Sequence, residues 1–384
     1  MKASDFRTGF ENANGRLVEL GEGVVRFEAE ARQSPRPLWF HFELRLVPAS
    51  EVRFELVNAG ACLGGLHSFA PVRPVYSYDR KTWRRFRGAG VDEQAAVFWF
   101  EGRLARGPVR IAMSYPYTYA DLQRWLRTLR GEPGVTVRSA CRTAGGREVP
   151  VVTLEPPGGG RERFGVWIAA RQHAGEAPGS YSLEGLVAFL LGRAPEARWL
   201  RRYVALNLVP MVDVDGVHAG DYGKDAAPVD FNRDWVEQPQ RPTIRALRDL
   251  VDDWARKHPF DLGLDSHAPT AGEPSYAFLI PRHLTDEAFR KREARFIGLL
   301  AEQAPRDCPF SAELCRCLNQ DSGPTETFDA CQRLRHGAFT ICLEHSYHRT
   351  GSGHYVTPER LRRFGRSVGR ALAGYFRVEA GERT

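Results

Sequence analysis

Four short segments carry side chains able to hold and use a metal ion. In Arg171-Gln172-His173-Ala174-Gly175-Glu176 an imidazole and a carboxylate stand with two residues between them, in a stretch loosened by Gly175 and closed by Pro178. Imidazole nitrogen and carboxylate oxygen are natural zinc donors, and both can turn toward one cation. Alone, such a pair is a weak signal that arises by chance, and reads first as a solvated loop whose Glu caps a helix. Asp265-Ser266-His267 adds a second imidazole downstream. Two His and one Glu leave a fourth tetrahedral position open to water. Phe339 to Glu344 is a nearly continuous apolar run ending in a carboxylate. Facing such a water, Glu344 would act as general base; otherwise it is an ordinary strand-end Glu. In Asp230-Phe231-Asn232-Arg233-Asp234-Trp235 a guanidinium beside a carboxamide can grip a carboxylate with paired hydrogen bonds, or else Arg233 packs on Trp235.

These side chains need strands that deliver them to one edge. After about residue 130, apolar strand-like runs alternate with segments of helical period, which predicts an α/β domain with a largely buried sheet. The strand candidates are Phe164 to Ala170, Tyr203 to Leu208, Asp261 to Leu264, Tyr276 to Ile280 and Ala338 to Leu343. His173, His267 and Glu344 each follow one of them, at the carboxyl ends where open α/β sheets bind ligands. Leu183, Leu186, Val187 and Leu190 mark one helix, and Ile244, Leu247, Val251 and Trp254 another. A last helix opens at Thr357-Pro358, as N-cap and N1, with Leu361, Phe364, Val368 and Leu372 inside. Pro156 to Gly160 reads as a surface turn between strands.

The first 125 residues have a different texture. Leu38, Phe40, Phe42, Leu44 and Leu46 alternate with His41, Glu43 and Arg45, and Val52, Phe54, Leu56 and Ala96, Phe98, Phe100 repeat the pattern between turn residues. This period predicts an antiparallel β-sandwich. At 384 residues the chain exceeds what one core usually serves, so two domains are expected, 1–125 and 126–384. The net charge of +7 is spread among interleaved acidic residues, without the basic stripe a nucleic-acid surface needs, and favours anionic small substrates. No apolar stretch approaches a signal peptide's core or a membrane span, so a cytoplasmic protein is expected, with no nucleic-acid or membrane partner. Seven cysteines without framework spacing suggest reduced thiols. Cys315-Arg-Cys317, with Cys308 nearby, lacks the second pair of a structural metal site.

Taken in order, His-x-Gly-Glu... is met here as His173-Ala174-Gly175-Glu176, followed by Asp215-Gly216-Val217, Asp230-Phe231-Asn232-Arg233-Asp234-Trp235, His267 and Thr340-Ile341-Cys342-Leu343-Glu344. This set resembles the zinc metallocarboxypeptidases, especially their cytosolic carboxypeptidase-like branch. Pro74-Val75-Tyr76-Ser77, Trp83 and Ser114-Tyr115-Pro116-Tyr117-Thr118-Tyr119 resemble that branch's amino-terminal β-sandwich, and Gly145-Gly146-Arg147 with Val149 to Leu154 the first catalytic strands. The resemblance implies a mixed-sheet α/β/α catalytic domain holding one zinc ion through His173, Glu176 and His267. It further implies Glu344 as general base toward a zinc-bound water, Asn232 and Arg233 as the grip on a terminal carboxylate, and Asp230 as the partner orienting a ligand His. The expected activity is hydrolysis of the C-terminal or side-chain-linked amino acid of a peptide. Its rivals are an amidohydrolase of small N-acyl amino acids, with a small acidic amide as substrate, and a zinc-retaining binding protein without catalysis. The sequence leaves the oligomeric state open.

The chain departs from the family at Asp213-Val214-Asp215-Gly216, where Asn-Pro-Asp-Gly is usual. Gly220-Asp221-Tyr222-Gly223-Lys224 stands where Gly-Asn-x-Arg is usual. The Arg that stabilises the oxyanion is missing, and Lys224 is a substitute charge or a solvated loop residue. No tyrosine lies between Tyr276 and Tyr347 to contact substrate. His345, His348 and His354 follow the base, and Arg333, Arg335 and His336 precede it. Most of these are expected at the surface, with one arginine lining a pocket for acidic residues.

Overall fold

The structure, a computed structural model, describes residues 2–47, 50–156, 163–317 and 325–381. In the amino-terminal part, alternating apolar residues close two five-stranded sheets over one core. One sheet runs in the order Phe6–Arg7, His41–Val47, Gly107–Ala112, Val75–Ser77, Arg84–Arg85. The other runs Arg16–Leu20, Val24–Glu28, Ser50–Leu56, Val97–Leu104, Gly88–Asp92. Phe27, Phe40, Phe42, Phe54 and Phe100 are buried between them, the rings of Phe54 and Phe100 stacking at 4.9 Å. The expectation of an antiparallel arrangement needs one correction, because Val24–Glu28 pairs with Ser50–Leu56 in parallel. The turn expected at Pro156 to Gly160 falls largely outside the described residues.

The carboxy-terminal part is built on an eight-stranded mixed sheet. Its order is Val135–Arg142, Glu148–Leu154, Val204–Val209, Phe164–Ala170, Leu262–His267, Phe339–Glu344, Tyr276–Leu279, Arg316–Cys317. The middle four strands are mutually parallel and buried along their length, which explains why they read as continuous apolar runs rather than alternations. Both faces are covered. A Cβ on Gly165 would meet Trp254 of the helix Pro242–Ala255, and one on Gly263 would approach Phe328 of the helix Phe328–His336. On the opposite face Gly179 of the helix Pro178–Leu190 lies against Ser266. That helix packs along the carboxy-terminal helix Pro358–Glu379, which the Thr357 side chain caps and Pro358 opens. The helix Tyr119–Leu129 straddles residue 125 and sends Leu122, Leu126 and Leu129 into the core of this second part.

Candidate active site

The parallel strands end at one edge, and there the chain turns sharply. Arg171 follows the strand Phe164–Ala170 with φ +57, a left-handed conformation that costs a non-glycine residue energy. Its guanidinium, 1% exposed, holds the turn in place. It donates to the carbonyls of Ala174 (3.1 Å) and Tyr117 (3.2 Å) and to Ser180 Oγ (3.0 Å). The turn delivers His173 and Glu176 inward. His173 Nδ1 lies 2.8 Å from Glu176 Oε1, His267 Nδ1 lies 2.8 Å from Glu176 Oε2, and the two Nδ1 atoms face each other at 3.1 Å. All three side chains are buried.

The opposite ring nitrogens fix the orientation of the imidazoles. His173 Nε2 lies 3.0 Å from Asp230 Oδ1, and His267 Nε2 lies 2.8 Å from Asp265 Oδ2. Each His thus presents Nδ1 to the common point and Nε2 to a carboxylate, an arrangement characteristic of metal-ligating histidines. Burial works against charge on these groups, yet Asp230 and Glu176 are held well below the usual carboxylate range by the histidines beside them. Two inward-facing nitrogens and a carboxylate in a buried, carboxylate-rich setting are a donor set for a divalent cation, and the His2Glu composition suits zinc.

This group opens into a cavity of about 430 Å³ that also receives Lys224, Asn232, Arg233 and Glu344. Glu344 ends the strand Phe339–Glu344 in register with His267 on the neighbouring parallel strand. Burial and the nearby Glu176 carboxylate raise its pKa, which favours proton acceptance closer to neutrality. Its Oε2 has no hydrogen-bond partner among the described residues. Asn232 spends its amide inside the protein. Its Nδ2 lies 3.0 Å from both Asp265 Oδ2 and His267 Nε2, and its Oδ1 accepts from Gln172 Nε2 and the Phe328 N–H. Arg233 donates one N–H to the Asn232 carbonyl at 2.7 Å and contributes to the cavity wall.

Several participants carry no local signal in the sequence. Gln172 ties the site together by donating to Asp265 and accepting from Trp235 Nε1 at 2.6 Å. Arg316 enters the cavity from the edge strand Arg316–Cys317. It donates to Glu273 Oε1 (2.8 Å) and to Tyr276 Oη (3.0 Å), its guanidinium lying 4.4 Å from the Tyr276 ring centroid. This corrects the expectation for Arg333 and Arg335. Arg335 is bound to Asp252, while Arg333 bonds the Leu284 and Gly337 carbonyls and approaches Asp286. A tyrosine does reach the cavity, since Tyr222 and Tyr276 both line it. His345 and His348 are buried rather than superficial: His345 Nε2 lies 2.9 Å from Ser266 Oγ with its ring edge-on to Phe364, and Arg85 of the amino-terminal sheets lies 3.4 Å from His348 Nδ1. All seven cysteines are free; Cys342 Sγ lies 3.8 Å from Glu344 Oε1.

Comparison with known proteins agrees with this geometry. Residues 122–270 match the family model described as zinc carboxypeptidase, and residues 6–113 match the cytosolic carboxypeptidase N-terminal domain. Cytosolic carboxypeptidase 6 of Homo sapiens is 26% identical over 97% of this chain and 78% of its own length. Cytosolic carboxypeptidase 6 of Caenorhabditis elegans is 27% identical over 64% of this chain, the match spanning 58% of the nematode protein. For the mouse counterpart the match spans 52% of its length. Among solved structures, a metallo-carboxypeptidase from Burkholderia cenocepacia superposes with a TM-score of 0.86 at 21% identity, covering 97% of this chain and 99% of its own. One from Pseudomonas aeruginosa, in complex with (2-guanidinoethylmercapto)succinic acid, gives 0.84 at 23% identity, with the same two coverages. These superpositions establish a shared fold across both parts of the molecule. Both parts of the chain thus match metallocarboxypeptidases, a zinc carboxypeptidase domain standing behind a cytosolic carboxypeptidase N-terminal domain.

Proposed function

We propose that the protein hydrolyses the bond to a C-terminal or side-chain-linked amino acid of a peptide, using one zinc ion held by His173, Glu176 and His267. The convergence of these three side chains, each His backed by its own carboxylate, carries the reading. When bound, zinc supplies Lewis-acid polarisation of water and of the scissile carbonyl. Glu344 takes a proton from the attacking water and returns it to the leaving amine; its buried carboxyl and uncommitted oxygen suit that exchange. Arg233 grips the free carboxylate of the departing residue, while Asn232 holds His267 and Asp265 in place and Asp230 holds His173. Arg316, braced by Glu273 and Tyr276, reads the side chain of that residue and favours acidic ones. A cytoplasmic location accords with the names of the relatives, and no described helix is long and apolar enough to cross a membrane.

Metal analysis together with hydrolysis of a peptide panel tests this reading. The wild type should bind one zinc per chain and release C-terminal residues. Glu344→Gln should keep the zinc and lose turnover by roughly 10²- to 10⁴-fold, the range for a lost general acid-base. Unchanged turnover in that variant refutes the role of Glu344.

A further inference from the structure

Leu63 belongs to the amino-terminal part, yet it lines the active-site cavity together with Pro269 and Thr270. Its loop is held by its own backbone. The Leu63 N–H donates to the Pro37 carbonyl at 3.1 Å, and the Gly65 N–H to the Cys62 carbonyl at 2.9 Å. Gly64 has φ +82, and a Cβ there would come within 2.9 Å of Ser68 Cβ and 3.5 Å of Thr270 Cβ. Conformation and crowding both keep a side chain out of position 64, so the loop closes directly onto the segment that follows His267. That segment is tied on both sides. The Ala268 N–H donates to Glu176 Oε2 at 3.2 Å, while Ala268 and Ala271 are buried in the amino-terminal core, against which Leu63 also packs. Gly272 leaves room for Pro71, whose Cγ a Cβ would approach to 2.9 Å. Backbone contacts thus hold Leu63 in a set position relative to the candidate metal donors.

We infer that Leu63 is a specificity-determining residue for the amino acid that precedes the scissile bond, and that it favours an apolar side chain there. This inference rests on the hydrolytic reading above. The two flanks of the cavity differ in chemistry. Beyond the strand Phe339–Glu344 lie the edge strands Tyr276–Leu279 and Arg316–Cys317, whose Tyr276 and Arg316 form the polar pocket assigned to the departing residue. Leu63 and Ala268 reach the cavity from the direction of the amino-terminal core and bring no charge. A peptide cleaved at its last bond presents two side chains next to the reacting carbonyl, that of the departing residue and that of the one before it. With the first directed to Arg316, the second is left to the uncharged wall. Contact with a leucine removes apolar surface from water on both partners, whereas a charged side chain would lose hydration there and gain no partner. The amino-terminal sheets thereby take part in choosing the substrate.

The test uses the full-length zinc-loaded protein as wild type, Leu63→Ala and Leu63→Lys. The substrates are peptides with a common last residue that differ only in the penultimate one, Leu, Asp or Lys, and release of the last residue gives kcat/KM. The wild type should prefer penultimate Leu to penultimate Asp, and Leu63→Ala should shrink that preference by about tenfold, the low end for apolar contacts in a pocket. Leu63→Lys should raise penultimate Asp relative to penultimate Lys by about two- to fivefold, the scale of a solvent-exposed ion pair. A second series, varied only at the last residue, should keep its order in every variant. Zinc content and Tm report on folding, and a merely structural loss lowers all rates alike without moving the ratios. Unchanged penultimate ratios in both variants, or a shift confined to the last-residue series, overturn the inference. If the wild type releases no C-terminal residue, the hydrolytic reading fails by itself, and calorimetric affinities for the same penultimate series still decide whether Leu63 discriminates.

Discussion

At the scale of single residues, the candidate metal donors and the proposed base are legible in the sequence because each is a chemically distinctive type at or just after the end of an apolar run. His173, Glu176, His267 and Glu344 arrive at one cavity. Arg316 was not legible, since it belongs to a two-residue edge strand with no periodicity to announce it. Arg333 and Arg335 are nearer Glu344 in sequence, but they sit in the last turn of the helix Phe328–His336, which hands them to Asp286 and Asp252. Arg316 shares its wall with Glu273, so the pocket holds one cation and one carboxylate in contact. Removing either exposes the charge of the other. Arg316→Ala should therefore cut release of terminal Glu relative to terminal Lys by at least about tenfold, the effect of one charge-assisted hydrogen bond. Glu273→Gln should shift the ratio the opposite way. Matched peptides differing only in the last residue measure this, and an unchanged ratio in both variants removes the specificity role.

At the scale of elements, strand positions followed from the apolar runs, whereas close approaches between elements did not, because glycines carry no hydrophobic signal. The helices Pro178–Leu190 and Pro358–Glu379 cross where a Cβ on Gly185 would strike the Arg362 carbonyl and one on Gly365 the Ser182 carbonyl. Gly365→Ala should destabilise the protein by about 1–3 kcal/mol through overpacking. It should also weaken zinc binding, since Glu176 lies just before that first helix. Gly298→Ala is the control: it lies within the helix Glu287–Gln303 with nothing within 4 Å, and should stabilise by roughly 0.4–1 kcal/mol. Equal denaturation midpoints for the two variants would contradict the packing argument. The short helix Val214–Ala219 offers a pH test. Asp213 caps it by accepting from the Gly216 N–H at 2.8 Å, and burial pushes the Asp213 carboxyl up to about 7. A folded-state pKa above the unfolded value near 3.8 means that the group's contribution is most favourable below about pH 4 and is lost as pH rises through 7. Asp213→Asn retains the cap and matches the residue usual in the family. It should raise Tm at pH 8 and change it little at pH 4; equal shifts at both would show that ionisation of Asp213 is not the cause.

At the scale of the molecule, a division into residues 1–125 and 126–384 separates two textures of sequence, but the amino-terminal core draws side chains from the second part. Tyr222, Ala268, Ala271 and Tyr347 come from the loops around the active site, yet they pack in the hydrophobic cluster of the amino-terminal sheets. Tyr347 Oη also donates to the Gly175 carbonyl at 3.2 Å, inside the metal-binding turn. These residues come from loops, where apolar periodicity gives no warning of a partner. Arg85 crosses the same boundary, donating to the Val356 carbonyl at 2.8 Å with its guanidinium against the rings of Tyr115 and Tyr355. A sheet region that packs against the loops behind the candidate metal site cannot unfold and leave that site intact. Thermal melting should therefore show one transition, with zinc release reported by a chelating dye at the same temperature as loss of β-sheet ellipticity. Arg85→Ala should lower both together, by about 1–3 kcal/mol, because it strands buried carbonyls without a donor. An amino-terminal transition well below zinc release would mean instead that the sheets are an appendage and that the catalytic half holds its own loops.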